Sequence, residues 1–222
     1  MEGIVIGSLE YKEKSKIVYL YTPYGKEGIR TLDVAKKLAF ATTLNCVEYE
    51  KTKANLPTLI EFTLKKSYYS FNQNMAKLDA VGVMIGVINN LEPDAPHQRI
   101  YPFFKNCLEL LESTDNVNFI LALFLVKMLA VFGTKPVLDS CVLCGNKNIV
   151  SFSIPDGGAL CENCSVNNSY GYETYQEFKY LYSTKEYVQP KELAINYEKL
   201  LEDIFSYYLI HVNLRVKDYK IR

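Results

Sequence analysis

Histidine is scarce in this chain: His97 and His211 are the only two in 222 residues. No Ser/His/Asp set, Walker loop or Gly-rich dinucleotide loop accompanies them. His97 sits in a Pro-rich break and His211 on an amphipathic helical pattern, where a packed or surface imidazole is the ordinary reading. Glu92, Asp94 and Asp156 make no spacing that reads as an acid pair. Catalysis therefore has little to build on. Net charge is also missing, because 25 basic residues meet 25 acidic ones. Such a balance gives no global attraction to nucleic acid, so any contact must come from a local patch. Long apolar runs are absent too. The most apolar stretch, Phe119 to Phe132, is interrupted by Lys127, is too short to span a bilayer and reads as a buried helix. Met1 to Gly7 has neither a basic segment nor an extended apolar core, which argues against a secretory signal. No internal repeat or low-complexity linker is visible.

Hydrophobic residues make up 49% of the chain, enough for a sizeable core. Residues 1 to about 70 read as β structure. Gly3 and Gly7 bracket Ile4-Val5-Ile6, and Ile17 to Tyr21 is β-branched and aromatic. Thr22 to Gly28 is a turn cluster, Ile29 to Val34 resumes a strand, and runs at Thr43–Tyr49 and Thr58–Tyr69 follow. Five strands with at most one helical turn near Ala35–Phe40 imply a small closed barrel. At Asn72 the period changes. Leu78, Val81, Ile85 and Ile88 recur at helical spacing, and further helical patterns cover 99–111, 119–132, 174–182, a short stretch near Lys191, and 196–213. The expected fold is an α+β multidomain chain, with a β module at 1–72 and a helical domain at 73–222 carrying an inserted ribbon at 139–166.

The ribbon is marked by cysteine. Cys141-Val-Leu-Cys144 and Cys161-Glu-Asn-Cys164 form two C-x2-C pairs separated by sixteen residues. That is the spacing of a four-thiolate zinc site, one zinc per chain, closed to water and so structural. Gly145 can supply the positive φ of the first knuckle, and Gly157-Gly158 can turn the chain back. Disulfides are the alternative, though nothing else suggests secretion. Cys46 and Cys107 lie among apolar residues and read as buried thiols. A reduced, cytoplasmic setting with no membrane contact is expected.

Charge is uneven along the chain. The first 75 residues carry eleven Lys/Arg against eight Asp/Glu, whereas 76–140 and 141–222 are slightly acidic. Lys12, Lys14 and Lys16 alternate near the first hairpin, which would put them on one side of an extended segment. Lys26 and Arg30 flank the next turn, and Lys36 and Lys37 follow. Tyr11, Tyr19, Tyr21 and Tyr24 are interleaved. Cations for phosphates beside aromatic faces for bases suit a single-strand-binding barrel. Glu10, Glu13 and Glu27 dilute the patch, and from charge alone a solvated face is the plainer reading. Arg215, Lys217, Lys220 and Arg222 form a second basic cluster, for which a solvated tail is the plainer reading.

One stretch goes beyond spacing. Gly133-Thr-Lys-Pro-Val-Leu-Asp-Ser-Cys141-Val-Leu-Cys144-Gly145, then Phe152-Ser153 and Gly157-Gly158-Ala-Leu-Cys161-Glu-Asn-Cys164, resembles the bacterial recombination and repair mediator family RecO. Glu2-Gly3-Ile4-Val5, Ser15 to Val18, Tyr21-Thr22 and Gly25-Lys26 look like that family's barrel opening, and Tyr207 to His211 like its last helix. The resemblance implies an N-terminal OB-fold β-barrel that binds DNA, a helical domain and a zinc ribbon. It implies a non-enzymatic mediator of DNA repair and homologous recombination. Such a protein binds single- and double-stranded DNA and anneals complementary strands. With RecR, it helps RecA load onto DNA coated by single-strand-binding protein, whose C-terminal tail it contacts. A zinc-ribbon adaptor between proteins, with weak or no DNA binding, is the other expectation.

Overall fold

The β-rich start forms a meander before it forms a barrel. β1 (Glu2–Lys12), β2 (Ser15–Thr22) and β3 (Gly25–Leu32) pair antiparallel in sequence, with Leu9 opposite Ile17 and Ile17 opposite Arg30. A 3-10 turn, Val34–Lys37, and the one-turn helix α1 (Leu38–Ala41) lead to β4 (Asn45–Lys51), which returns beside β1. β5 (Leu59–Ser67) completes the strand order β3-β2-β1-β4-β5. A parallel bridge, Arg30 to Thr58, joins the two outer strands and closes the sheet on itself. This is the five-stranded OB barrel, with its helix between the third and fourth strands. The computed structural model describes residues 1–12, 14–165, 170–185 and 195–218. The expected helical stretch near Lys191 lies outside them, as do Lys220 and Arg222.

The barrel interior follows from strand alternation. Val5, Val18, Leu20, Ile29, Val47, Tyr49 and Leu59 point inward, and Phe40 and Ala41 of α1 plug one end. The Phe40 ring lies 5.4 Å from that of Phe62 and 6.1 Å from that of Tyr49. Phe40 is fully buried, so Phe40→Ala leaves a cavity and should cost about 3–5 kcal/mol, read as a lower urea midpoint for barrel unfolding.

Two helices belong to the same compact unit as the barrel, which runs from Met1 to Thr114. α2 (Met75–Asn89) begins at Asn74, whose side chain accepts the Lys77 N–H, and is buried on almost every side from Ala80 to Ile88. α3 (His97–Ser113) buries His97, Ile100, Tyr101, Phe104, Cys107, Leu108 and Leu111, an amphipathic stripe. Tyr21 of β2 packs against the rings of His97, Tyr101 and Phe104. Glu2 of β1 accepts from the Tyr101 hydroxyl at 2.8 Å and the Lys105 ammonium at 2.9 Å.

The second unit starts at Asp115. Its centre is α4 (Val117–Leu129), capped by Asn116 and buried at eleven of its positions. Of the other two, Asn118 and Lys127, the lysine donates at 2.6 Å to the carbonyls of Tyr182 and Thr184, capping the end of α5 (Tyr172–Ser183). α6 (Tyr197–Tyr207) continues into a π turn at Tyr208–Val212. Among the described residues, no helix is long and apolar enough to cross a membrane.

Candidate metal centre and nucleic-acid surface

Between α4 and α5 the chain makes a short ribbon of β6 (Ile149–Ser153) and β7 (Gly158–Cys161). The first knuckle is drawn tight by Gly145 N–H to the Cys141 carbonyl at 2.8 Å, with Gly145 at φ 78, a region costly to other residues. The second is drawn by Cys164 and Ser165 N–H groups to the Cys161 carbonyl. Val142 N–H to Ala159 C=O, at 2.9 Å, ties the first knuckle to β7. At Gly158 a Cβ would lie 2.7 Å from the Val137 carbonyl oxygen, so only glycine lets the segment entering the ribbon pair there.

These turns bring Cys141, Cys144, Cys161 and Cys164 together, with all four sulfurs within 4.8 Å of one another. The Cys144 and Cys161 sulfurs are 3.6 Å apart. A tetrahedron of four thiolates at ~2.3 Å from zinc has edges of about 3.8 Å, so the four donors are close enough to hold such an ion. None of the six cysteines is in a disulfide. Burial works against ionising Cys141, but backbone N–H groups at Cys161, Cys144 and Leu143 outweigh it and bring the thiol down to about 6. The adjacent Cys144 and Cys161 thiols hold Cys164 up at about 12. Four crowded sulfurs cannot all become thiolates without a cation among them.

The ribbon is anchored by the residues that follow it in the chain. His211 donates from Nε2 to the Ile154 carbonyl at 2.6 Å and lies over Tyr207, whose hydroxyl donates to the carbonyls of Thr134 and Gly157. His97 is similarly engaged, with Nε2 on the Glu92 carbonyl and Nδ1 on the Tyr21 hydroxyl.

The seven candidate phosphate contacts separate into two groups. Lys12 ends β1, Lys14 sits in the turn at φ 60, and Lys16 lies on β2. The expectation that they share one side of an extended segment is corrected: the hairpin turns between them. A different contact brings neighbouring lysines toward them. The Lys14 carbonyl accepts the Asp33 N–H at 3.1 Å, so the 3-10 turn carrying Lys36 and Lys37 is held against the hairpin tip. Lys12, Lys14, Lys16, Lys36 and Lys37 thus occupy one end of the barrel. Lys16 pairs with Glu10 at 2.8 Å, whereas Lys12, Lys14 and Lys36 are exposed with no acidic partner among the described residues. Lys26 and Arg30 go elsewhere. Lys26 donates to the Asn89 carbonyl at the end of α2. Arg30 closes the barrel, its N–H on the Pro57 carbonyl at 2.8 Å and its Nε on Thr58 at 3.2 Å.

Beside the lysine end lies an apolar face. Leu9, Tyr11, Tyr19 and Leu32 are each about half exposed on the outer surface of β1–β3. The Tyr19 ring lies against Gly28, its strand neighbour, and remains partly exposed. Tyr24 is exposed in the β2–β3 turn. Tyr21 is a correction: α3 covers it completely, and it offers no surface. Lys53, in the exposed Thr52–Pro57 loop that Arg30 fastens to β3, was not singled out by the charge pattern. No sequence signal marks it, because its place depends on how the barrel closes.

The family model described as recombination protein O, C terminal, matches residues 73–215. Similar curated proteins include the DNA repair protein RecO of Halalkalibacterium halodurans, 26% identical over 78% of this chain and 71% of the relative. That of Bacillus pumilus is 29% identical over 76% and 69%. That of Caldanaerobacter subterraneus subsp. tengcongensis is 29% identical over 81% and 74%.

Proposed function

This chain belongs to the RecO family of DNA repair proteins, and on that premise we propose that it is a non-enzymatic mediator of recombinational repair that works by holding DNA on its barrel. What supports the reading most is the gathering of Lys12, Lys14, Lys16, Lys36 and Lys37 at one barrel end beside the exposed rings of Tyr11 and Tyr19. The lysines contact phosphates and the rings stack bases. Lys26 and Arg30 contribute less, since both are engaged within the unit. The domain division proposed is a DNA-binding barrel at 1–72 and a helical domain at 73–222, with its ribbon at 139–166.

Neutralising phosphates on two strands lowers their mutual repulsion and lets complementary sequences pair. In the cytoplasm this activity joins RecR and the tail of single-strand-binding protein, and helps RecA load. One zinc held by Cys141, Cys144, Cys161 and Cys164 supplies folding energy to the ribbon and takes no part in the DNA step. An annealing time course with complementary oligonucleotides and no nucleotide tests this. Acceleration by the protein at low salt, weakening as salt rises, is expected. Neither binding nor annealing at low salt would leave the adaptor between proteins as the surviving reading.

A further inference from the structure

α5 carries an unusual row. Tyr172, Tyr175, Lys179 and Tyr182 are spaced by three, four and three residues, which places them on one helix face about 15 Å long. The rings of Tyr172 and Tyr175 are 5.5 Å apart. The Lys179 ammonium lies 5.2 Å from the Tyr175 ring centre and donates to its hydroxyl at 2.9 Å. Lys135, from the segment after α4, sits 5.2 Å from the Tyr182 ring, and Lys127 approaches the same ring at 6.0 Å. Lys135, Lys179 and Tyr172 are exposed. The adjoining helix side packs inward through Phe178, which stacks on Phe152 at 4.6 Å, so the row is backed by the core. Glu173 and Glu177 fall away from the row by helical geometry, and the Tyr175 hydroxyl and the charge of Asp139 help to hold the Lys179 ammonium charged.

We infer that this face of α5, with Lys135, is a second contact surface for single-stranded nucleic acid, separate from the barrel. The chemistry selects the partner. Cations alone would suit any polyanion, but an exposed Tyr172 ring in line with two exposed ammonium groups matches an alternation of base and phosphate. Tyr175 and Tyr182 do not stack bases; they hold Lys179 and Lys135 in place through cation–π contact. The inference rests on the DNA-binding reading and gives the protein a place for a second strand.

The chain has no tryptophan, so Tyr172→Trp in the 222-residue chain installs a single reporter on the row. Titration with oligothymidylate should quench its emission, with log affinity falling as log salt rises. Adding Lys135→Glu, which breaks no hydrogen bond among the described residues, should lower that slope by about 0.7, and adding Lys179→Glu as well by about 1.4. Adding Lys12→Glu and Lys14→Glu instead should leave the quench intact while total strand uptake falls. If the quench persists and uptake is also unchanged by the barrel pair, the row stands and the barrel assignment fails. Absence of quenching at low salt, quenching that survives both reversals at Lys135 and Lys179, or equal quenching by a polyglutamate peptide overturns the inference.

Discussion

Cys144→Ser is expected to strip the metal and melt the second unit while sparing the first. Cys144 is exposed, and serine is nearly its size, so the substitution itself removes little packing. Its effect therefore reports the ion. Structural zinc sites bind with about 10–16 kcal/mol, comparable to the whole stability of a domain. Losing one thiolate should cost at least about 3 kcal/mol, on the order of 10–20 °C in Tm for a unit of this size. Without the ion the Cys141–Gly145 knuckle loses its fixed place on β7. His211 and Tyr207 then hold a ribbon turn that no longer has a fixed partner. Elemental analysis should give one zinc in the parent and far less in the variant, and amide exchange in β1–β5 should not change. A variant that keeps its full zinc, or parent protein holding a disulfide among these cysteines under reducing conditions, would sink this account.

The second large effect concerns DNA. Reversing Lys12 and Lys14 together should lower single-strand affinity at 0.1 M salt by about 25-fold, the counterion-release term for two phosphates at ~0.7 per decade of salt each. Both side chains are exposed and free of acidic partners among the described residues, so stability should hold. Reversing Lys26 should do less to binding and more to folding, since its ammonium is spent on the end of α2. Equal losses from the two variants would show that the hairpin end is not the contact.

What the sequence reveals here depends on how local the cause is. The metal cluster is legible because each pair of ligands is set by one turn, and a hairpin with Gly157-Gly158 has few ways to bring the pairs together. The five strands are legible from β-branched runs and turn residues. The closure of the barrel is not, because it rests on Arg30 meeting Thr58 across 28 residues. Tyr19 and Tyr21 have the same strand parity, yet one is exposed and the other fully buried. The difference is α3, whose His97, Tyr101 and Phe104 cover only the Tyr21 end of β2. Likewise Lys36 and Lys37 come to lie near the hairpin lysines for a reason no spacing contains, a single backbone hydrogen bond from Asp33 to Lys14. Where the helical pattern begins, at residue 73, is not where the compact units part, because α2 and α3 belong with the barrel.

Phosphate binding at the barrel end is what the proposed function turns on. It is tested most directly by measuring single-strand affinity against salt for the parent chain, the Lys12→Glu/Lys14→Glu variant and a folded ribbon variant, Lys147→Glu. Log affinity should fall linearly with log salt. The slope should be smaller by about 1.4 in the barrel variant and unchanged in the ribbon variant. A parent slope near zero, or a larger loss from Lys147→Glu than from the barrel pair, would contradict it.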